Sequence, residues 1–369
     1  MKTASVKQLL DQYSEVVPGF NALRLILASI ILLYHAFIIQ TFSIYHSPYG
    51  THEIWLKPVT RAFLPMFFFL GGFLVTGSAL RVKSLKAFLA FRIFRIVPAL
   101  LVEVVLSAVV LGGFFTTLPL EEYYRSPGFF AYFLNIVGDV HFFLPGVFME
   151  GNSVTPTNGL VNGNLWTLPP DLLAYAILTA LFALHIIFFR KTFFGLFVFA
   201  SLVVVVIQVI RPHDMLNNYL LAIPLAGFMQ IYSFFMGALV YLFSDRIFLN
   251  KRLLLLALVS LAFLSWEQTI LLGVWAACYL CLYIGFMDLR NFPLVQRGDY
   301  SYGIYLYGYP ILQACRNAFP ILKTWEELFC IAMPVTLLFA ILSWHIIEKP
   351  VLGLKGKIWP KLHRPHSPV

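Results

Sequence analysis

Two ionisable side chains lie inside one apolar stretch near the N-terminus, and together they could support acid–base chemistry. The stretch is Phe20–Gln40, FNALRLILASIILLYHAFIIQ, and it contains Arg24 and His35. Histidine has an ordinary pKa near 6.5, so it can accept and return a proton at neutral pH. On an α-helix, Asn21, Arg24 and His35 fall on one stripe, with His35 about three turns (~16 Å) beyond Arg24. This stripe predicts a helix that lines a site.

Each of the two residues also has a simpler interpretation. Arg24 could reach a lipid headgroup, and His35 could be a satisfied polar side chain inside a helix bundle. A charge near the centre of a membrane helix costs roughly 2.5–3.5 kcal/mol, so ionisable residues there usually face a bundle interior. Because Arg24 and His35 share one stripe, we favour the interpretation that both residues line a site.

A second candidate is the basic segment RVKSLKAFLAFRIFRIVPALL. Its Arg92 and Arg95 are three residues apart and therefore lie on one helix face. Two planar guanidinium groups on one face can clamp phosphate groups. A basic segment beside a membrane can also simply set orientation and contact anionic lipid. Pro98 is expected to open or kink the span that follows.

A third candidate is the segment NLWTLPPDLLAY, which follows a Gly/Asn-rich run. Pro169 and Pro170 suit a helix start, which places Asp171 in the first turn. There its carboxylate could serve a site or could merely complement the helix dipole. Both interpretations stay open.

The elements that must position these residues are membrane spans. With 60% hydrophobic and 12% charged residues among 369, the composition excludes a soluble domain. The N-terminal region has no cleavage signal, so the first span is expected to be retained. The close pair Cys278 and Cys281 lies inside an apolar run and is interpreted as packing, and the sequence predicts no metal site. The expected spans are Phe20–Gln40, Ala62–Leu80, Pro98–Phe115, Leu172–Phe189, Phe193–Ile210, Leu220–Phe243, Leu253–Trp266, Ile270–Met287, Tyr302–Phe319 and Phe329–Ile347.

Charge distribution gives the expected orientation. The net charge of +9 could indicate nucleic acid, but 19 Lys and Arg residues fall on one side of this topology and six on the other. That bias predicts both termini in the cytoplasm and no nucleic-acid partner. We therefore expect an all-α polytopic integral membrane protein of about ten transmembrane helices. Residues 1–350 form a single membrane-embedded domain and residues 351–369 a basic cytoplasmic tail that is poorly ordered. The segment Phe129–Phe148 is expected to be re-entrant or interfacial rather than a further span.

Six motifs occur along the chain in a fixed order: FNALRLILASIILLYH, FFFLGGFL, FRIFRIVP, NLWTLPPDLLAY, GDYSYGIYLYGYP and IIEKP. Together they resemble the signature of acyltransferase family 3, the membrane O-acyltransferases of surface and extracellular glycans. The resemblance runs from about Phe20 to Pro350, and Arg24 and His35 match the family's invariant opening positions. Asn21 stands where the family usually has Asp, and Asp171 where it usually has Glu.

The resemblance implies an O-acyltransferase that moves an acyl group, most often acetyl from cytoplasmic acetyl-CoA, to a hydroxyl of a glycan such as lipopolysaccharide O-antigen. Its partners would be acyl-CoA, a glycan or glycolipid acceptor and the lipid bilayer, with no permanently bound cofactor. A location in the bacterial inner membrane follows. The alternatives are a transporter or flippase of a lipid-linked sugar, and a structural membrane protein. No internal repeat supports the transporter, and clustered ionisable residues disfavour the structural protein.

Each candidate residue has an expected role in that reaction. We expect His35 to be the base and Asp171, or another carboxylate, to hold its ring. Arg92 and Arg95 would hold the donor phosphates, and Arg24, beside Asn21, could neutralise a phosphate or polarise the thioester region. The expected lining residues are Trp166, Ser301 and Tyr302.

Overall fold

The computed structural model describes residues 4–13, 17–45, 57–149, 159–210, 219–264, 270–289 and 294–359. Within these ranges the chain is helical, and pairing of extended backbone is limited to isolated bridges. The all-α class expected from the sequence is therefore confirmed. The loop with His46, His52 and Glu53, and the last residues of the basic tail, lie outside the described ranges.

The α-helices, numbered in chain order, are α1 (Val6–Gln12), α2 (Pro18–Tyr45), α3 (Lys57–Val82), α4 (Leu85–Val105), α5 (Gly112–Phe115), α6 (Leu120–Arg125), α7 (Pro127–Tyr132), α8 (Leu168–Ala183), α9 (Arg190–Ile210), α10 (Tyr219–Leu242), α11 (Lys251–Leu264), α12 (Ile270–Gly285), α13 (Ser301–Ala318), α14 (Trp325–Ser343) and α15 (Lys349–Ile358). Two π-helical segments, Leu106–Leu111 and Trp344–Glu348, connect α4 to α5 and α14 to α15. Short 3₁₀ helices cover Phe133–Val137, Gly163–Thr167 and Ile186–Phe188.

Within the described residues, each expected span overlaps one or more of these helical segments. Among the described residues, five helical stretches are long and apolar enough to cross a membrane, namely Gly19–Thr41, Ala62–Val82, Leu85–Phe115, Gly163–Ala183 and Trp325–Ile358. The protein is therefore a membrane protein built from apolar helices. The count of ten spans and the cytoplasmic termini stay predictions.

Two boundaries differ from expectation. Pro98 neither opens a span nor ends a helix, because α4 begins at Leu85 and continues through it. In the same turn, the Tyr302 hydroxyl donates a hydrogen bond to the Ile96 carbonyl at 2.9 Å. The basic tail also begins as an ordered helix, α15.

The described residues fall into two compact units, of which the first draws on Met1–Leu27, Thr51–Leu85 and Pro170–Arg297. In this unit α3 and α10 approach so closely that a Cβ on Gly72 would lie 1.8 Å from the Phe234 carbonyl oxygen. A Cβ on Gly237 would lie 2.1 Å from the Phe69 carbonyl oxygen. Glycine at mid-span here permits close helix packing.

The second unit draws on Ala28–Gly50, Lys86–Pro169 and Gly298–Val369. It contains α4, α13, α14 and the C-terminal half of α2. The packing of α13 against α14 uses Gly303, where a Cβ would lie 2.6 Å from the Ala340 Cα. The segment Phe129–Phe148 consists mainly of short helical turns and irregular chain. Most of the candidate site residues belong to this unit.

Candidate functional site

His35 lies on α2 in the second unit, with its ring edge-to-face against Tyr309 of α13 at 5.2 Å between centroids. Its Nδ1 is buried and has no hydrogen-bond partner among the described residues. A buried imidazole nitrogen without a partner is costly in an apolar setting, so such groups call for a functional explanation. The contact with Tyr309 fixes the orientation of the His35 imidazole, and Nδ1 can still accept or donate a proton.

The segment behind Tyr309 is held by a buried polar cluster centred on Glu103 of α4. The Glu103 Oε1 accepts hydrogen bonds from Ser107 Oγ at 2.8 Å and from Asn162 Nδ2 at 2.9 Å. Asn162 also donates to the Leu306 carbonyl at 3.0 Å. The next residue, Gly163, packs on the Tyr309 ring, which a Cβ there would approach to 2.7 Å. The cluster therefore sets the position of the ring that contacts His35.

A neighbouring set of hydrogen bonds fixes the start of the WTLPP segment. Asn164 Nδ2 donates to the Tyr305 carbonyl at 2.6 Å. The Tyr305 hydroxyl in turn contacts the Asn164 carbonyl and Thr167 Oγ1 through short hydrogen bonds. Trp166 lies in this 3₁₀ helix and is partly exposed. Two of the motifs found in the sequence are thus joined directly.

Arg95 forms a second centre, at which three motifs meet. Its Nη2 donates to Asp299 Oδ2 at 2.6 Å and its Nη1 to Glu348 Oε2 at 3.0 Å. The guanidinium also lies over the rings of Tyr302 at 5.4 Å and Trp344 at 5.9 Å. The Arg95 fork is therefore engaged by two internal carboxylates, which weakens its expected role as a second phosphate clamp.

Ser301 and Tyr302 serve this centre. Ser301 Oγ donates to Asp299 Oδ1 at 2.6 Å, and Tyr302 donates to the backbone of α4. Ser343 Oγ donates to the remaining oxygen of Glu348 at 3.1 Å. Both carboxylates of the Arg95 centre are thus hydrogen-bonded on either oxygen. In the structure, the contacts of Ser301 and Tyr302 are those of residues that position Arg95.

Three of the expected site residues belong to the first unit. Asn21 and Arg24 are joined on α2, where Arg24 Nη2 donates to Asn21 Oδ1 at 2.7 Å. The amide thus supplies the acceptor that the missing carboxylate would have supplied. Asp171 lies in the first turn of α8 and is partly exposed.

The sequence predicted some of the residues that come together here and did not predict others. Within the second unit, Arg95, Ser301 and Tyr302 come together, while His35 lies against Tyr309. The sequence did not single out Glu103, Asp299, Tyr309 or Glu348. Glu103 carried a usable signal, since it is a lone carboxylate in the apolar run PALLVEVVL. Among the described residues, no group of three or more His, Cys, Asp and Glu side chains could hold a metal ion.

Comparison with known proteins adds a family and two relatives. Residues 17–345 match the family described as "Acyltransferase domain". A relative named "O-acetyl transferase", from Shigella phage Sf6, is 26% identical over 347 residues, covering 90% of this chain and 95% of the relative. Another, "Nodulation protein 10" of Rhizobium leguminosarum bv. viciae, is 27% identical over 322 residues, covering 79% of this chain and 82% of the relative. No solved structure matches the chain.

Proposed function

Since this chain belongs to the acyltransferase family that matches residues 17–345, and is an O-acyltransferase, we propose that it transfers an acetyl group from acetyl-CoA to a hydroxyl of a surface or exported glycan. The acetyl group is supported by the name of the Shigella phage Sf6 relative, "O-acetyl transferase". A glycan or glycolipid acceptor such as lipopolysaccharide O-antigen suits an enzyme embedded in the bacterial inner membrane.

The observation that carries the proposal is His35, an intramembrane histidine whose buried Nδ1 has no hydrogen-bond partner among the described residues. A sugar hydroxyl is a poor nucleophile at neutral pH and needs a base. In direct transfer, His35 takes the hydroxyl proton while the oxygen attacks the thioester carbonyl carbon. The carbon–sulfur bond then breaks, and His35 returns the proton to the CoA thiolate. Tyr309 holds the imidazole in place during both steps.

Asp171 and the Asn21–Arg24 pair complete the proposed machinery. Asp171, in the first turn of α8, is proposed to be a catalytic carboxylate. Arg24 already donates to Asn21 through one Nη atom, and it is proposed to offset negative charge on the donor. Trp166, which is partly exposed, is proposed to line the acceptor path.

The proposed topology brings donor and acceptor from opposite faces of the membrane. Ten spans with both termini in the cytoplasm place the Arg92 end of α4 on the cytoplasmic side, where acyl-CoA is available. His35 lies toward the opposite end of its helix. The bulky anionic nucleotide therefore never crosses the membrane, and only the thioester arm extends inward.

Transfer of radiolabelled acetyl groups by detergent-purified protein tests the activity. His35→Ala is expected to lower the rate by about 10²–10⁴-fold, the usual cost of losing a positioned base. The control is His185→Asn, because His185 is an exposed histidine in the turn after α8 with φ +61°, a backbone conformation that asparagine tolerates. Normal transfer by well-folded His35→Ala protein would remove the proposed base. A flippase of lipid-linked sugars would show no acetyl transfer at all.

Mass spectrometry of surface glycans identifies the acceptor. Cells with and without the gene are expected to differ by acetyl groups on one glycan. Identical glycans from both strains, alongside acetyl transfer by the purified protein, would exclude a surface glycan as the acceptor.

A further inference from the structure

The C-terminal segment packs antiparallel against α4 along one stripe of side chains. Arg95 contacts Trp344 and Glu348, which lie at the start of the segment. One turn earlier on α4, Phe91 contacts Lys355 and Trp359, which lie at the end of the segment. On each side the contacting residues are four or seven positions apart, so they lie on one face of the helical segment.

The two ends of this stripe differ in charge. At one end, Arg95 faces the carboxylates of Asp299 and Glu348. At the other end, the Lys355 ammonium lies 5.0 Å from the centroid of the Phe91 ring. The Arg92 guanidinium lies 5.8 Å from the centroid of the Phe88 ring, which is three residues before Phe91 and therefore on the same face of α4. Among the described residues, no carboxylate lies within ion-pair distance of Lys355. The Phe91 ring attracts the Lys355 ammonium, whereas the nearby charges of Arg92 and Arg95 repel it.

Like charges brought together across a packed helix pair cost stability unless an anion lies between them. Lys355 is half-buried, so water screens the repulsion only in part. The Lys355 ammonium and the Trp359 ring both lie against the Phe91 ring, and these contacts hold the ammonium in place. The geometry is therefore preorganised for a negatively charged ligand.

We propose that Arg92 and Lys355, with Phe91 and Trp359 beside them, form a phosphate-binding site in which Lys355 supplies the second cation that Arg95 cannot. A guanidinium offers a planar fork, and a lysine ammonium binds phosphate as a point charge. The phosphate belongs to the CoA donor or to a lipid headgroup. The CoA source rests on the proposed function, and the lipid source does not.

The test compares Lys355→Met with Lys357→Met in the full-length protein. Methionine keeps an unbranched stem for packing on Phe91 but removes the charge. Lys357 is an exposed lysine two residues further along the same helix, and it serves as the matched control. Thermal unfolding in detergent verifies that both variants fold like the wild type.

The first measurement is the affinity for CoA by calorimetry, paired with the KM for acetyl-CoA and for S-acetylpantetheine, which lacks the nucleotide phosphates. Lys355→Met is expected to weaken CoA binding and raise the KM for acetyl-CoA by about tenfold, the scale of one charge-assisted contact. The KM for S-acetylpantetheine should not change, and Lys357→Met should resemble the wild type. This result assigns the phosphate to the donor.

The second measurement is the melting temperature in nanodiscs of phosphatidylcholine with and without phosphatidylglycerol. If the phosphate is a lipid headgroup, the anionic lipid stabilises the wild type and Lys357→Met but not Lys355→Met, while CoA affinity is unchanged. If Lys355→Met matches the wild type in both measurements, the site is refuted. A wild type that neither binds CoA nor transfers acetyl groups refutes the proposed function, and the nanodisc result then decides the site alone.

Discussion

Glu103 is enclosed by protein in the middle of an apolar helix, with no exposed surface. Burying a carboxylate is costly unless its oxygens are hydrogen-bonded. The structure satisfies one oxygen through Ser107 and Asn162, while Oε2 has no hydrogen-bond partner among the described residues. Ser107 and Asn162 therefore need a hydrogen-bond acceptor at this position, and they do not need a negative charge.

This gives a prediction for two substitutions. Glu103→Gln keeps an acceptor oxygen for Ser107 and Asn162, so its thermal stability in detergent should be close to wild type. Glu103→Leu leaves both donors without that acceptor and should lower the free energy of unfolding by about 1–3 kcal/mol. The Leu variant should also lose acyl transfer, because Asn162 precedes the glycine that packs on Tyr309. Equal destabilisation of the two variants would show that the charge itself is required.

At the scale of the helices, Arg95 joins α4, the start of α13 and the segment after α14. Arg95→Ala leaves Asp299 and Glu348 without their cation in a largely buried setting, which typically costs about 3–5 kcal/mol. We therefore expect Arg95→Ala to unfold at a clearly lower temperature. Arg92→Ala should raise the KM for acetyl-CoA. Lys at position 95 should rescue only in part, because an ammonium cannot bridge two carboxylates as a planar fork does.

The opposite pattern, with normal stability in Arg95→Ala and a raised KM, would restore the original expectation that Arg92 and Arg95 act as equal phosphate ligands. A double variant with Arg95→Met and Glu348→Gln provides a second comparison. It removes one charge of each sign, so it should be more stable than Arg95→Ala alone.

The sequence predicted where helices lie but not which side chains they bring together. Apolar length alone located α2 and α3, since about 20 apolar residues are needed to cross a membrane. The partners of Arg95 are 204 and 253 residues away along the chain, and no local pattern encodes such a pairing. The expected start of a span at Pro98 was wrong, because α4 begins at Leu85 and continues through the proline.

The close packing of α3 against α10 gives a prediction for glycine. Gly72→Ala should destabilise the protein, because the new Cβ would lie 1.8 Å from the backbone oxygen of Phe234, which cannot move without shifting its helix. Gly195 on α9 is the control, since a Cβ there meets nothing within 4 Å. Gly195→Ala should be neutral or stabilising by about 0.5–1 kcal/mol. Melting temperatures of the two variants that fall in the reverse order would contradict this packing.

At the scale of the whole molecule, the distribution of cationic residues has to set orientation, because cytoplasmic loops carry the excess of Lys and Arg. The bias of 19 residues against six predicts that Lys86 and Lys357 face the cytoplasm and that Lys323 faces the opposite side. The side chains of all three lysines are exposed. They therefore suit chemical labelling.

Single cysteines at these positions can be labelled in intact cells with a membrane-impermeant maleimide. The background first needs Cys330→Ala, because Cys330 is exposed while Cys278, Cys281 and Cys315 are buried. We expect Lys323→Cys to react in intact cells, and Lys86→Cys and Lys357→Cys to react only after the membrane is opened. The ten-span topology places an odd number of spans between positions 86 and 323. Labelling of Lys86→Cys and Lys323→Cys from the same face would show that this number is even. Such a result would overturn the ten-span topology and, with it, the entry of the donor from the cytoplasm.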